Sequence, residues 1–298
     1  MVRLLLLCLA CCMSGPSPEL VATGDHDIRG LLVTDHHVYW SEAYEHVDRF
    51  GDDDYCDDGR VRRLPIAGGP REELARDPAC PGDLVQLAGQ LVWSSVEPHG
   101  GSWLRTQAAA FRIDHATTRL HALAGELVYG AIGRVMAWSP AWGERTVARY
   151  WNKDTHDVEL VGGSIAASVG RDPFATVRLF ARDGQEQRLA ESSRGTFRAL
   201  AASGHTLYAV HDGYAPDYFC EIVRVADRHV LWRGTQEIDA LVVAGGQLYF
   251  ETWSTIERIA ERGGGHRTLV HADELAHLTV RGDYLYWSSG PKIMRLHR

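Results

Sequence analysis

The chain has 298 residues, of which 45% are hydrophobic and 23% charged, and its formal net charge is −8. That hydrophobic share is enough to bury a sizeable core and excludes a disordered chain. The acidic balance, with no Lys/Arg run longer than Arg62-Arg63, excludes a duplex nucleic-acid surface, which needs a basic surplus or patch.

At the N-terminus, Met1-Val-Arg-Leu-Leu-Leu-Leu-Cys-Leu-Ala-Cys-Cys-Met-Ser-Gly15 places one basic residue before a short apolar block and then small and polar residues. The block is too short to span a bilayer and fits an export signal at the short end of the usual range. Cys11, preceded by Ala10, resembles the bacterial lipoprotein processing site, although Cys8 stands where Leu is usual. Two outcomes follow, a lipid anchor on Cys11 or simple secretion. Residues 1–18 are therefore read as the signal and 19–298 as one domain. The expected location is the periplasm, the outer-membrane surface or the medium, with membrane contact only through the anchor.

Beyond residue 18 the chain repeats itself. Val33-Thr-Asp-His-His-Val-Tyr-Trp-Ser41, Leu87-Ala-Gly-Gln-Leu-Val-Trp-Ser94, Leu123-Ala-Gly-Glu-Leu-Val-Tyr129, Val243-Ala-Gly-Gly-Gln-Leu-Tyr-Phe250 and the run Leu278–Ser289 each join an apolar run, a turn and an aromatic run. The third residues of these aromatic triplets, and their degraded counterparts, are Trp40, Trp93, Tyr129, Ala167, Ala209, Phe250 and Trp287. A period of roughly 40 residues with several strands per unit is that of a propeller blade. Length alone would divide the chain in two, but closed all-β architectures run longer as one unit.

Each unit resolves into four strands. Strand A precedes the turn, as in Leu84–Leu87 and Ala240–Val243, and strand B is the aromatic run. Strand C centres on an arginine in Val177–Leu179, Val223–Val225, Glu257–Ile259 and Met294–Leu296. That arginine is read as an outward strand position with its stem packed on the blade. Strand D follows a tight turn at Gly68-Gly69, Asp183-Gly184 or Gly263-Gly264-Gly265. In the second unit, Trp103 to Ile113 is expected to hold a strand C displaced by an insertion. The fourth unit has lost its aromatics and the fifth keeps Leu207-Tyr208. The seventh ends on strand C, and Glu19-Leu-Val-Ala22 resembles the strand D segments Glu73–Arg76 and Arg188–Glu191. The expectation is an all-β, seven-bladed β-propeller with three-plus-one closure between its N- and C-terminal strands, which removes the unpaired edges of an open array.

Tyr39-Trp40-Ser41, Val92-Trp93-Ser94 and Tyr286-Trp287-Ser288 resemble the Tyr-Trp-Thr-Asp blades of lipoprotein-receptor propellers. The run Arg63–Gly69 is similar to the Gly-Gly hairpin of bacterial exported propeller repeats. Ser stands in place of Thr, the following Asp is absent, and seven units replace six. The resemblance implies a binding or scaffold domain and no catalytic residue.

Of the cysteines after the signal, Cys56 and Cys80 bracket the longest loop, and export permits a disulfide between them. Cys220 is read as a buried free thiol on a strand. The acidic insert Asp48–Gly59 carries hard oxygen ligands, Asp53, Asp54, Asp57 and Asp58 among them, at a density that could hold a calcium ion. An EF-hand alignment on Gly59 fails, because Cys56 falls at a ligand position and Pro65 where the closing Glu belongs. A solvated loop is the plainer reading.

Strand A starts line one mouth of a propeller channel, and counting back from each anchor puts Arg29, Asp83, Arg119, Asp157, Arg198, Asp239 and His277 there, with His156 beside Asp157. Such a ring suits a small anionic or zwitterionic ligand, its charges alternating so that each neutralises its neighbour. Polar residues at solvent-edge strand starts are the bland alternative. No zinc signature, nucleophile elbow or phosphate loop occurs. The reading preferred from sequence is an exported, monomeric, non-enzymatic binding or interaction module for a protein, peptide or glycan. The alternative is a metal-assisted hydrolase or lyase, its cation held by Asp83, Asp157 and Asp239 with His277 as base.

Overall fold

The computed structural model describes residues 16–47, 54–77, 79–97, 101–113, 119–150, 153–171, 174–181, 185–214 and 217–298. Residues 1–15 with Cys11, the Asp183-Gly184 turn and Asp53 lie outside them.

Among the described residues twenty-eight strands and no helix form seven four-stranded antiparallel sheets. Strand β1 (Glu19–Thr23) precedes blade one, which is β2 (Asp27–Val33), β3 (His37–Val47), β4 (Asp54–Pro65) and β5 (Glu72–Asp77). Blade two is β6 (Cys80–Leu87), β7 (Gln90–Val96), β8 (Ser102–Arg105) and β9 (Ala110–Ile113). Blade three is β10 (His121–Leu123), β11 (Glu126–Ala131), β12 (Arg134–Ser139) and β13 (Gly143–Arg149). Blade four is β14 (Asp154–Val161), β15 (Ser164–Arg171), β16 (Phe174–Phe180) and β17 (Glu186–Ser192). Blade five is β18 (Thr196–Ser203), β19 (Thr206–Gly213), β20 (Phe219–Arg224) and β21 (His229–Gly234). Blade six is β22 (Ala240–Ala244), β23 (Gln247–Glu251), β24 (Thr255–Ala260) and β25 (Arg267–His271). In blade seven β26 (Leu275–Arg281), β27 (Tyr284–Ser289) and β28 (Lys292–His297) are joined by β1, which pairs with β28 from Glu19↔Arg295 to Thr23↔Lys292. Arg295 donates to the Glu19 carboxylate at 2.8 Å across that pairing.

In blades two, three, four and six the A-to-B turns are short because two successive residues take the left-handed conformation. Gly245 and Gly246 have φ +57° and +75°, and Ala88-Gly89 repeats the pattern at +50° and +83°. Such primed turns match the twist of the strands they join. The B strands then bury their aromatics, with Trp40, Phe250 and Trp287 at most 1% exposed between neighbouring sheets. Clusters around them bridge successive blades, so the core is a ring of inter-sheet seams.

Two expectations are corrected. The insert after Trp40 is no simple loop, since β3 and β4 pair out to Val47↔Asp54, extending the blade-one hairpin beyond a register shift at Glu42/Tyr44. In blade two, residues 102–113 hold both outer strands, because a tight turn at residues 106–109 folds β9 back on β8. Cys56 on β4 and Cys80 at the start of β6 form a disulfide with Cα atoms 5.1 Å apart, tying blade one to blade two, and Cys220 is free and buried.

Candidate functional site

The seven residues expected at the channel mouth, Arg29, Asp83, Arg119, Asp157, Arg198, Asp239 and His277, all line one cavity of about 840 Å³, with His156 beside them. Each comes from a different blade, at the end where its innermost strand begins. What holds them there is irregular pairing. The ladder between inner strand and neighbour slips at Ile28/Gly30, Pro81/Leu84, Thr155/Asp157, Phe197/Leu200 and Ala276/Thr279. Arg29, Asp83, His156, Arg198 and His277 sit inside those slips, while Arg119 and Asp239 precede the first residues of β10 and β22. A bulge re-aims side chains that a regular strand would send to alternate faces. His277 reaches its place with φ +62°, a left-handed backbone uncommon for a non-glycine residue.

The bulges also free backbone groups, and the ring satisfies them across the seams between blades. The Asp83 carboxylate of blade two accepts the Leu120 N–H of blade three at 2.8 Å. Asp157 of blade four accepts the Leu200 N–H of blade five at 2.7 Å, and Glu251 of blade six accepts the Leu278 N–H of blade seven at 3.1 Å. Ser41 of blade one donates to the Gly82 carbonyl at 2.6 Å. His277 donates from Nε2 to the Ile28 carbonyl at 3.1 Å, which closes the circle from blade seven to blade one. Gly30 permits the close approach, since a Cβ there would run into the Gly82 carbonyl oxygen.

Enclosure sets the protonation states. Burial pushes Asp157 up to about 6, opposed by the charge of Arg119 and by the Leu200 and Val158 N–H groups. Burial also raises Glu251 to about 8, again opposed by Arg119, and Glu159, deeper on β14, to about 7. Asp83 and Asp239 are raised for the same first reason. Asp83 keeps partial exposure to the channel, but narrow channel water does not solvate a carboxylate as bulk water does. Burial lowers His277 to about 4, helped by Arg119 and Arg29, and lowers His156 as well. The charge of Arg119 thus acts on carboxyls of blades two, four and six and on the histidine of blade seven, which places its guanidinium in the middle of the ring.

The expected alternation is present as an order around the ring, and at Arg198 the pairing departs from it. Arg198 pairs with Asp212 of its own blade at 2.9 Å and with Glu237, not with Asp157. Asp83 and Asp157 also spend oxygens on backbone N–H groups of the next blade. Glu251, Trp253, Thr196 and Ser94 also line the cavity and were missed. Glu251 was legible: it follows the Phe250 anchor in the slot where Ser41, Ser94 and Ser288 follow Trp40, Trp93 and Trp287.

Metal ligation fits poorly. Among the described residues no three His, Cys, Asp or Glu side chains are placed to hold an ion, and Asp83 and Asp157 are already engaged. In the acidic hairpin, Asp58 is ion-paired with Arg60 and lies 3.4 Å from His26; Asp54 and Asp57 fall on β4.

No known family pattern matches the chain, and no curated protein matches its sequence. Solved structures do match in shape. Virginiamycin B lyase from Staphylococcus aureus superposes with TM-score 0.68 at 10% identity, covering 95% of this chain and 99% of the lyase. A chain of the mitotic checkpoint complex gives 0.66 at 12% identity over 100% of this chain and 99% of that one. BamB from Moraxella catarrhalis gives 0.56 at 13% identity over 94% and 97%. At these identities the likeness is one of fold, a bacterial and eukaryotic propeller architecture that hosts unrelated functions.

Proposed function

We propose that the protein is an exported propeller that acts as a binding module, with its ligand site at the channel mouth and a carboxylate-bearing ligand as its occupant. The observation that carries this reading is the convergence of one charged or imidazole side chain from every blade on a single cavity. Three of them are guanidiniums. The carboxyls around them are driven toward the neutral form by burial, and both histidines are held neutral. The ionised balance at the mouth is therefore more positive than the formal count, and an anion gains most there. Pockets of this size suit small ligands or the end of a larger one.

Export rests on the Arg3-led apolar segment and on the Cys56–Cys80 disulfide, a bond at home in an oxidising compartment. The likeness of the Tyr-Trp-Ser blades to extracellular Tyr-Trp-Thr-Asp propellers agrees with it. A metal-assisted hydrolase or lyase is the weaker reading, since its proposed donors Asp83, Asp157 and Asp239 form no ion-holding group.

A thermal-shift panel of succinate, glutarate, neutral sugars and lysine tests the reading. Dicarboxylates are expected to raise the melting temperature, with the response lost in Arg119→Gln and altered far more by Asp239→Ala than by Asp53→Ala. A larger response to lysine or to sugars would overturn the anionic assignment, and a reversed ranking of the two aspartates would move the site to the acidic hairpin.

A further inference from the structure

Among the described residues nine large hydrophobic side chains are exposed, and five of them occupy equivalent places. Val96 (37% exposed), Ile132 (65%), Phe174 (62%), Tyr214 (67%) and Trp253 (68%) stand at the connections between the second and third strands of blades two to six, one per blade. In an antiparallel blade whose first strand starts at the channel mouth, the second strand ends, and the third begins, on that same face. The five side chains therefore form an arc around the mouth at middle radius. Of the other four, Tyr44 lies on β3 within the extended blade-one hairpin, Leu20 on β1, Val230 on the outer strand β21, and Trp142 at a third-to-fourth-strand turn on the opposite face. Isolated exposed apolar residues are ordinary, but a set repeated around one face is a recognition surface.

Nothing in blade packing requires them. The same connection in blade seven is Gly290-Pro291 and carries no large apolar side chain. Trp253 belongs to both features, since it lines the channel cavity as well as the arc. Tyr and Trp anchor protein interfaces because they bring large area with few rotatable bonds. A partner crossing this face meets apolar side chains, then the guanidiniums of Arg29, Arg119 and Arg198, then apolar side chains again.

We infer that this face docks an extended polypeptide segment in which one or more acidic side chains are flanked on both sides by apolar residues. The acidic residues enter the mouth and the flanks lie across the arc. The inference rests on the channel-mouth reading and adds the partner class to it.

Panning a random dodecapeptide display library against the intact protein tests it. Enrichment of sequences with Asp or Glu between apolar residues is expected. A synthetic peptide of the enriched sequence should bind at least tenfold more weakly to Trp253→Ser and to Phe174→Ser, both surface changes that leave the melting temperature in place. Failure to enrich, enrichment of basic peptides, or unchanged binding by both variants would overturn the inference. If dicarboxylates shift melting while panning fails, the mouth binds small anions and the arc has no such role. If peptides bind in a Trp253-dependent manner that Arg119→Gln leaves intact, the channel-mouth reading is the part that fails.

Discussion

Two charge-rich regions of this propeller use their carboxylates in opposite ways. Around the entry to blade one, Asp25 accepts from Arg62 at 2.6 Å and from Arg60 at 2.8 Å, with Arg71 at 3.3 Å. Its hydrogen bond from Arg62 leads in holding it down to about 2. Beneath it the fully buried Glu42 accepts from the Trp40 indole at 2.9 Å and faces Arg62 at 3.1 Å, an ion pair bent away from hydrogen-bond geometry. At the channel mouth the carboxyls face backbone N–H groups and a shared arginine, and burial raises them. A carboxylate saturated by arginines has little left for a ligand and serves the fold. One that burial drives toward the neutral form leaves the arginines to dominate the field in an open cavity.

The blade-one cluster also fastens the ring. Asp25 follows β1 directly, Arg71 donates to the Thr23 carbonyl at 3.0 Å, and the Gly24 N–H donates to Pro291 at 2.7 Å. Deleting residues 17–22 is expected to have the largest effect, because it strips the outer strand of the seventh sheet and exposes a sheet edge. The truncated protein should aggregate or melt at least ~10 °C lower than one beginning at Gly15; equal melting would show that the cluster does not serve closure.

Next in size is Arg62→Ala, which leaves Glu42 buried without its counter-ion and should cost about 3–5 kcal/mol in urea unfolding. A loss below about 1 kcal/mol, the scale of a surface pair, would erase the distinction between the two regions.

The pH dependences should differ in sign. Asp25, depressed to about 2, contributes stability above its ordinary 3.8 that is lost as pH falls through 2. Glu251, raised from 4.5 to about 8, binds more protons folded than unfolded between those values, so its effect lowers stability as pH rises through that window. Glu251→Gln keeps an acceptor for Leu278 and removes the ionisation. It should stabilise the protein by up to about 5 kcal/mol at pH 9 and leave it unchanged at pH 4, one pKa unit being about 1.4 kcal/mol. Equal effects at both pH values would mean that the carboxyl is solvated.

The smallest effect expected is that of EDTA, which should move the melting temperature by less than ~1 °C, since an ion bound to the native state would stabilise it by mass action. A large drop would restore the calcium reading of Asp53, Asp54, Asp57 and Asp58.

The candidate ring was legible because each innermost strand begins a fixed distance before an aromatic anchor that survives even where the aromatic does not, as at Ala167 and Ala209. Glu251 was missed for attending to strand starts alone, although its slot next to Phe250 was as readable as Ser41 beside Trp40. Trp253 was not readable as an exposed residue, since nothing local distinguishes it from the buried Trp40. Two strands in residues 102–113 were taken for one because the turn at residues 106–109 has no glycine to mark it.

The sequence by itself determined seven sheets and the blade to which each mouth residue belongs, because strand alternation and turn residues act over a few neighbours and repeat in the chain. Only the tertiary structure decided where those side chains point and in what state of ionisation. A period-two strand predicts facing side by side, but bulges at Arg29, Asp83, His156, Arg198 and His277 break that period. The carboxyls rise toward neutrality because seven sheets close around them and exclude bulk water, and closure of a ring has no counterpart in any single repeat.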